Sequence, residues 1–174
     1  MDVYGHIGIQ RTDDEFRSEI AEFNDQISSP TRRARREADV FYSGTKPVNP
    51  NRPINQDTML NLGDCEVEII LTPGHTTTNL SVYVPSDSVL FCGDCLVNGY
   101  LPNLDCGTNS DWQDWLRSLD RIAGLASKIV VPGHGPVARE GEATRLIETM
   151  RKTLEQAVET GLSPTSRSST IGAA

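Results

Sequence analysis

The sequence predicts an α/β (α+β) domain in which a mostly antiparallel sheet is flanked by helices. Two pairs of segments alternate apolar and polar residues, and a short turn joins each pair, which predicts two β-hairpins. Other segments repeat apolar residues every three or four positions, and two of these begin with capping boxes, which predicts amphipathic helices. The 174 residues match the size of one domain, which we expect to span residues 1–161.

The N-terminal third is predicted to contain one strand, two helices and a loop. Residues 3–7 have the composition of a short strand, and a capping box at residues 12–15 begins the first helix. A second helix is expected over residues 29–41 because a proline stands at its first helical position. Residues 44–53 are rich in proline and asparagine and are predicted to form a surface loop.

The middle of the chain is predicted to form the two hairpins. In the first, residues 58–62 and 65–71 flank a Gly-Asp turn. In the second, residues 80–84 and 89–92 flank a Pro-Ser-Asp-Ser turn. The last strand of this hairpin leads directly into Asp94, which we expect on the turn that follows it.

The C-terminal part is predicted to add two helices and one strand. A capping box that starts at Ser110 begins a helix whose apolar stripe includes Trp112 and Trp115. We interpret both tryptophans as core anchors, and the alternative is a platform for a ligand. A short strand is expected at residues 128–131, and a helix at residues 142–160.

Charge and composition exclude several classes of function. The net charge of −8 and the pI near 4.8 disfavour general binding to nucleic acid or to anionic membranes. No apolar run reaches the length of a membrane span, and the N-terminus has no secretory signal pattern, so a cytoplasmic location is expected. Four arginines between residues 32 and 36 are interpreted as a solvated helix surface, the alternative being contact with an acidic partner. Residues 162–174 are predicted to form a disordered tail.

The four cysteines are expected to be reduced, because a chain of this size does not need disulfides to fold. They are Cys65, Cys92, Cys95 and Cys106. Cys92 and Cys95 form a CxxC pair, which is found in redox couples and in structural zinc sites. The pair closes an apolar strand, and no second cysteine pair has zinc-ribbon spacing, which favours buried thiols over both alternatives.

Three short motifs share one design that favours metal binding. They are LTPGHT at residues 71–76, LFCGD at residues 90–94 and VVPGHGP at residues 130–136. In each, an apolar strand is followed by a turn with glycine, and the turn carries His75, Asp94 or His134. Strand ends at one edge of a sheet bring distant residues together, and imidazole and carboxylate are ligands of zinc and related divalent ions. Two of the chain's three histidines lie in such motifs.

These motifs resemble those of the metallo-β-lactamase fold superfamily, especially its glyoxalase II and cyclase-like branches. The resemblance extends from Val3 to about Gly161. It implies the C-terminal portion of a four-layer αβ/βα sandwich. It also implies two divalent metal ions, zinc or else iron or manganese, with His75 on the first ion and His134 on the second. Asp94 would bridge both ions and act as the catalytic residue.

The sequence departs from the superfamily pattern at one motif. Members normally carry an HxHxDH motif that supplies further ligands to both ions, and these 174 residues contain none. His6 matches the strand that usually follows that motif, so we interpret it as an ordinary strand-end histidine. By this alignment the domain is N-terminally incomplete, and each ion keeps two of its protein ligands.

Three functions follow as hypotheses. The resemblance implies a metal-dependent hydrolase that uses a metal-activated water on a small-molecule ester, thioester or lactam. The missing motif motivates an alternative: a truncated or degenerate member without catalysis that serves as a folding or dimerisation module and covers exposed sheet surface in a homodimer. A third hypothesis is a thiol redox or zinc module. Thr76, Asn98 and Tyr100 are interpreted either as pocket residues or as loop structure.

Overall fold

The structure, a computed structural model, describes residues 1–26, 47–104 and 107–161. The chain divides into two compact units, Met1–Pro53 and Ile54–Ala174. The predicted helix at residues 29–41 with its arginine cluster, Cys106 and the predicted tail lie outside the described residues. None of the described helices combines the length and apolarity needed to cross a bilayer.

Residues 1–26 of the first unit follow the predicted pattern. Strand β1 (Tyr4–His6) leads through a 3₁₀ turn (Ile7–Ile9) into helix α1 (Asp13–Gln26). The predicted capping box is present, because Thr12 N–H donates to Glu15 Oε2 at 2.8 Å and Glu15 N–H donates to Thr12 Oγ1 at 3.2 Å.

The loop predicted over residues 44–53 ends earlier than predicted, because its last two residues belong to a strand. Arg52 and Pro53 lie in strand β2 (Arg52–Ile54), which pairs with β1. Arg52 N–H donates to the Val3 carbonyl at 3.1 Å, and Asn51 Oδ1 accepts from Val3 N–H at 2.8 Å. The proline gave a loop signal, yet a two-stranded sheet leaves one side of each strand free of ladder hydrogen bonds, where proline is tolerated.

The second unit contains the sheet that the hairpins predicted. Its described strands are β3 (Thr58–Asn61), β4 (Glu66–Leu71), β5 (Leu80–Val84), β6 (Val89–Val97), β7 (Ile129–His134) and β8 (Ala138–Arg139). They lie side by side in sequence order. All neighbours are antiparallel except β6 and β7, which are parallel. Both hairpins and the mostly antiparallel sheet are thereby confirmed.

Two helices pack on this sheet and build the core. They are α2 (Asn109–Gly124) and α3 (Gly141–Thr160). The capping box of α2 is formed by Thr108 and Asp111 rather than by the predicted pair that starts at Ser110, because the helix begins two residues earlier than predicted. The prediction that both tryptophans are core anchors is confirmed, since Trp112 is 6% and Trp115 1% exposed. With them the core contains Leu90, Leu96, Leu119, Ile122, Val130, Met150 and Leu154.

Candidate metal centre

Three separate elements of the second unit carry the predicted ligands. His75 lies on the loop between β4 and β5, Asp94 lies within β6, and His134 is the last residue of β7. His75 Nε2 lies 3.5 Å from Asp94 Oδ2, and His134 Nε2 lies 3.3 Å from Asp94 Oδ1. The two carboxylate oxygens therefore face different imidazoles.

These separations match those of two ligands on one tetrahedral ion. Ligand atoms at about 2.1 Å from zinc lie about 3.4 Å from each other on adjacent tetrahedral vertices. Among residues 1–26, 47–104 and 107–161, however, no three side chains of His, Cys, Asp and Glu surround a single point as ligands of one ion would. The Asp94 carboxylate lies between the two imidazoles, so each side has two donor atoms, one carboxylate oxygen and one imidazole nitrogen. This geometry fits a carboxylate that bridges two ions, and it leaves room on each ion for further ligands.

A bulge in β6 carries Asp94 to this place. The sequence predicted that the strand ends at Cys92, but it continues to Val97 and shifts its register against β7 on both sides of Gly93. Gly93 has φ +50°, a conformation that glycine adopts at little cost. A bulge locally bends a strand and redirects its side chains. The Gly-Asp pair, which reads as a turn in the sequence, is therefore an irregularity inside a strand.

The glycine before His134 allows β7 to approach Asp94. A Cβ on Gly133 would collide with Asp94 Oδ1 and would lie 2.7 Å from the carbonyl carbon of Gly93. Gly135, at φ +87°, is equally confined, because its Cβ would lie 2.7 Å from the carbonyl carbon of Asn98. Glycine is thus required on both sides of His134.

A buried polar cluster fixes the loop that carries His75. The Asn79 amide donates to Thr72 Oγ1 at 2.8 Å and to the Cys92 carbonyl at 3.4 Å, and so joins the loop to β6. Thr72 and Ser81 are fully buried, and their hydroxyls hydrogen-bond at 2.9 Å. Ser118 Oγ on α2 donates to the Pro73 carbonyl at 2.6 Å. Sequence reasoning missed this cluster, although Thr72, directly after an apolar strand, and Ser81, within one, were its signal.

Two aromatic rings flank the candidate ligands. The Trp115 ring meets the His75 ring edge-on, with centroids 5.7 Å apart, and Trp115 Nε1–H donates to the Cys95 carbonyl at 2.9 Å. The Tyr100 ring lies edge-on to His134 at 6.2 Å. A cavity of about 480 Å³ is lined by the three candidate ligands, both rings and the segment from Leu101 to Asn103. The sequence favoured a core role for Trp115 over a ligand platform, and the buried ring belongs to the core and also lines this cavity.

The other residues that the sequence singled out near the site have structural contacts. The Thr76 carbonyl accepts from Gly74 N–H at 3.0 Å, and the Asn98 amide donates to the Pro136 carbonyl at 2.8 Å. Both hydrogen bonds stabilise loops beside the cavity, whereas Tyr100 lines it. His6, in the first unit, accepts a hydrogen bond from Gly8 N–H through Nδ1 at 3.0 Å.

The CxxC cysteines lie in the core behind the site. Cys92 and Cys95 are fully buried, and the Cys92 thiol donates to the Val131 carbonyl at 3.3 Å. Burial raises the pKa of Cys92 to about 12 and also raises the pKa of Cys95. Thiols that remain protonated are poor nucleophiles and poor metal ligands. This burial favours the predicted structural role over the redox and zinc alternatives, while Cys65 is half-buried.

Comparison with known proteins identifies the class of this molecule. The family model described as the metallo-beta-lactamase superfamily matches residues 14–134. This chain belongs to the metallo-β-lactamase superfamily.

Curated relatives match parts of the chain. It is 36% identical over 73 residues to the beta-lactamase-like protein 2 homolog of Caenorhabditis elegans, covering 41% of this chain and 22% of the relative. It is 29% identical over 93 residues to the type 2 metallo-beta-lactamase of Bacteroides fragilis, covering 52% and 36%. A hydroxyacylglutathione hydrolase of Legionella pneumophila (strain Paris) is 42% identical over 48 residues, covering 28% and 19%. The matches span at most 36% of these relatives' own length.

A solved structure supports the same fold. A metallo-beta-lactamase family protein from Thermus thermophilus superposes with a TM-score of 0.59 at 20% identity, covering 91% of this chain and 54% of that one. The similarity confirms the predicted fold class, a mixed α/β structure with a mostly antiparallel sheet and flanking helices.

Proposed function

We propose that this chain supplies His75, Asp94 and His134 to a two-metal centre of a hydrolase that acts on a small-molecule ester, thioester or lactam. The observation that carries the proposal is the pair of separations between Asp94 and the imidazoles, 3.5 and 3.3 Å, which suit ligands of shared ions. The names of the relatives add support, because they include a β-lactamase and a hydroxyacylglutathione hydrolase.

Divalent ions at this place would lower the pKa of a water molecule and polarise the oxygen of the substrate carbonyl. The side chains of this chain would supply the ligand atoms that hold these ions. Asp94 offers one oxygen to each side, and each imidazole offers Nε2. Trp115 shields His75, whose side chain is 24% exposed, whereas the His134 side chain is 67% exposed. We infer that the substrate approaches from the side of His134 and Tyr100.

Zinc binding by the purified chain tests this proposal. We expect competition with a chromogenic chelator to reveal zinc binding by the wild type. Asp94→Asn, which removes the shared charge, should weaken the affinity at least about tenfold, as expected when a hydrogen-bonded charge is lost. His6→Ala, which removes the histidine of the first unit, is the control and should bind like the wild type. Equal zinc affinity in the wild type and Asp94→Asn would overturn the proposal.

One observation favours the second candidate, a member without catalysis. The 174 residues contain no HxHxDH motif, and two protein ligands hold an ion less tightly than three or four. Such a chain would act as a folding or dimerisation module. Sedimentation and ester turnover distinguish the candidates: a stable dimer without zinc-dependent hydrolysis supports the module, and a monomer that hydrolyses esters only with zinc excludes it.

A further inference from the structure

A second cavity continues from the candidate metal centre. We call it the distal groove; it has a volume of about 880 Å³ and lies between residues 97–101, residues 136–137 and the first turns of α3. It shares Val97, Tyr100 and Leu101 with the cavity of the metal centre. A ligand held at His134 therefore has a continuous path over Tyr100 into the groove.

Exposed apolar side chains line part of this path. Tyr100 is 67%, Leu101 64% and Val137 41% exposed, and all three line the groove. Exposed apolar residues that cluster mark binding surfaces more often than scattered ones. The loop is also anchored, because Asn98 N–H donates to the His134 carbonyl at 2.9 Å.

An arginine side chain also lines the groove. Arg145, exposed on α3, lines the groove, and no described residue pairs with its guanidinium. Six of the seven other described arginines each pair with a carboxylate: Arg11, Arg17, Arg52, Arg117, Arg121 and Arg151. The seventh, Arg139, does not line the groove. The groove also contains Glu142, whose carboxylate accepts from Arg139 N–H at 3.3 Å. A guanidinium binds carboxylate and phosphate through paired hydrogen bonds.

We propose that the distal groove selects substrates with an aliphatic segment that ends in an anionic group, a carboxylate or a phosphate, which Arg145 binds. The inference rests on the proposed function, since the reacting carbonyl would lie at the metal centre. The apolar rim contacts the aliphatic segment, and the guanidinium contacts its end. Arg145 thereby determines which substrates bind and takes no part in the chemistry.

Binding of small acids tests the groove without turnover. The probes are hexanamide, hexanoate and hexylphosphonate, titrated calorimetrically into the zinc-free wild-type chain. Hexanoate should bind at least about tenfold more tightly than the neutral hexanamide, because a charge-assisted hydrogen bond is gained. Arg145→Gln should abolish this preference, and Lys152→Gln, which removes an exposed cation elsewhere on α3, should preserve it. Glu142→Gln should increase it, because a like charge is removed from the groove.

The outcomes separate the groove from the metal centre. Equal binding of hexanamide and hexanoate by the wild type, or a preference for hexanoate that survives in Arg145→Gln, overturns the groove proposal. Stronger binding of hexylphosphonate than of hexanoate supports it and identifies phosphate as the end group. An Arg145-dependent preference in a chain that neither binds zinc nor hydrolyses adipoyl thioesters supports the groove and rejects the proposed function. Zinc-dependent turnover without that preference supports the proposed function and overturns the groove proposal.

Discussion

Replacing Gly133 by alanine should disturb the position of Asp94 through contacts that cannot relax cheaply. The new Cβ would lie 2.7 Å from the carbonyl carbon of Gly93 and 2.8 Å from the backbone nitrogen of Asp94. The shorter distance is roughly 0.7 Å less than the 3.4 Å at which ordinary contact begins. The carboxylate can rotate away from the methyl group, but the backbone of β6 cannot.

The expected magnitude follows from the packing of β6 against β7. Overpacking a close contact costs about 1–3 kcal/mol of unfolding free energy. Moving the two strands apart by roughly 0.7 Å, the overlap worked out above, would change the 3.3 Å separation between Asp94 and His134 by about a fifth. We therefore expect Gly133→Ala to lower both the stability and, by at least about tenfold, the zinc affinity.

Urea unfolding and chelator competition measure the two effects. Gly124→Ala is the matched control, because no atom lies within 4 Å of its new Cβ and its φ is unstrained. This control should be neutral or should stabilise the chain by up to about 1 kcal/mol. If Gly133→Ala matched the wild type in both measurements, the packing argument would be refuted. If only stability fell, β6 would yield without displacing the carboxylate.

Three further predictions concern the surroundings of the site. Asn79→Ala should cost about 1–3 kcal/mol in urea unfolding and weaken zinc binding, because it leaves the buried Thr72 hydroxyl without this donor; unchanged zinc affinity would show that Asn79 does not position His75. Burial raises the pKa of Cys92 to about 12, so iodoacetamide at pH 8 should leave Cys92 and Cys95 unmodified until the chain unfolds, and rapid labelling detected by mass spectrometry would contradict their burial. Hydrogen bonds from Thr108 lower the pKa of Asp111, so the capping box stabilises α2 above about pH 4 and is lost as the pH falls through that lowered value. Thr108→Ala should therefore reduce the loss of thermal stability on acidification, and an unchanged pH dependence would exclude this role.

Local patterns in the sequence predicted most elements of the second unit. Alternating apolar residues identified both hairpins, and the helical stripe placed both tryptophans in the core. The start of α2 was predicted two residues late because residues 108–111 and 110–113 both have polar end residues that can form a capping box. The choice between them depends on tertiary contacts that the sequence does not display.

The bulge at Gly93 and the hydroxyl cluster could not be predicted from local sequence, because both depend on how distant strands pair. Gly-Asp is a common turn, and only the pairing of β6 with β7, some forty positions further along the chain, makes it a bulge inside a strand. Thr72, Asn79 and Ser81 likewise look like ordinary strand and loop residues until β4, β5 and β6 lie side by side. The identity of the candidate ligands is thus a local property of the sequence, whereas their separation is a property of the sheet.

The parallel pairing of β6 and β7 connects the core to the candidate metal centre. The two strands carry Asp94 and His134, and helix α2 lies between them in the chain. Trp115 on this helix packs against Gly74, contacts the His75 ring and donates to the Cys95 carbonyl of β6. One buried side chain therefore contacts both the loop of His75 and the strand of Asp94. Since packed interiors transmit displacements of less than 1 Å, core substitutions around Trp115 act on the ligand geometry without touching a ligand.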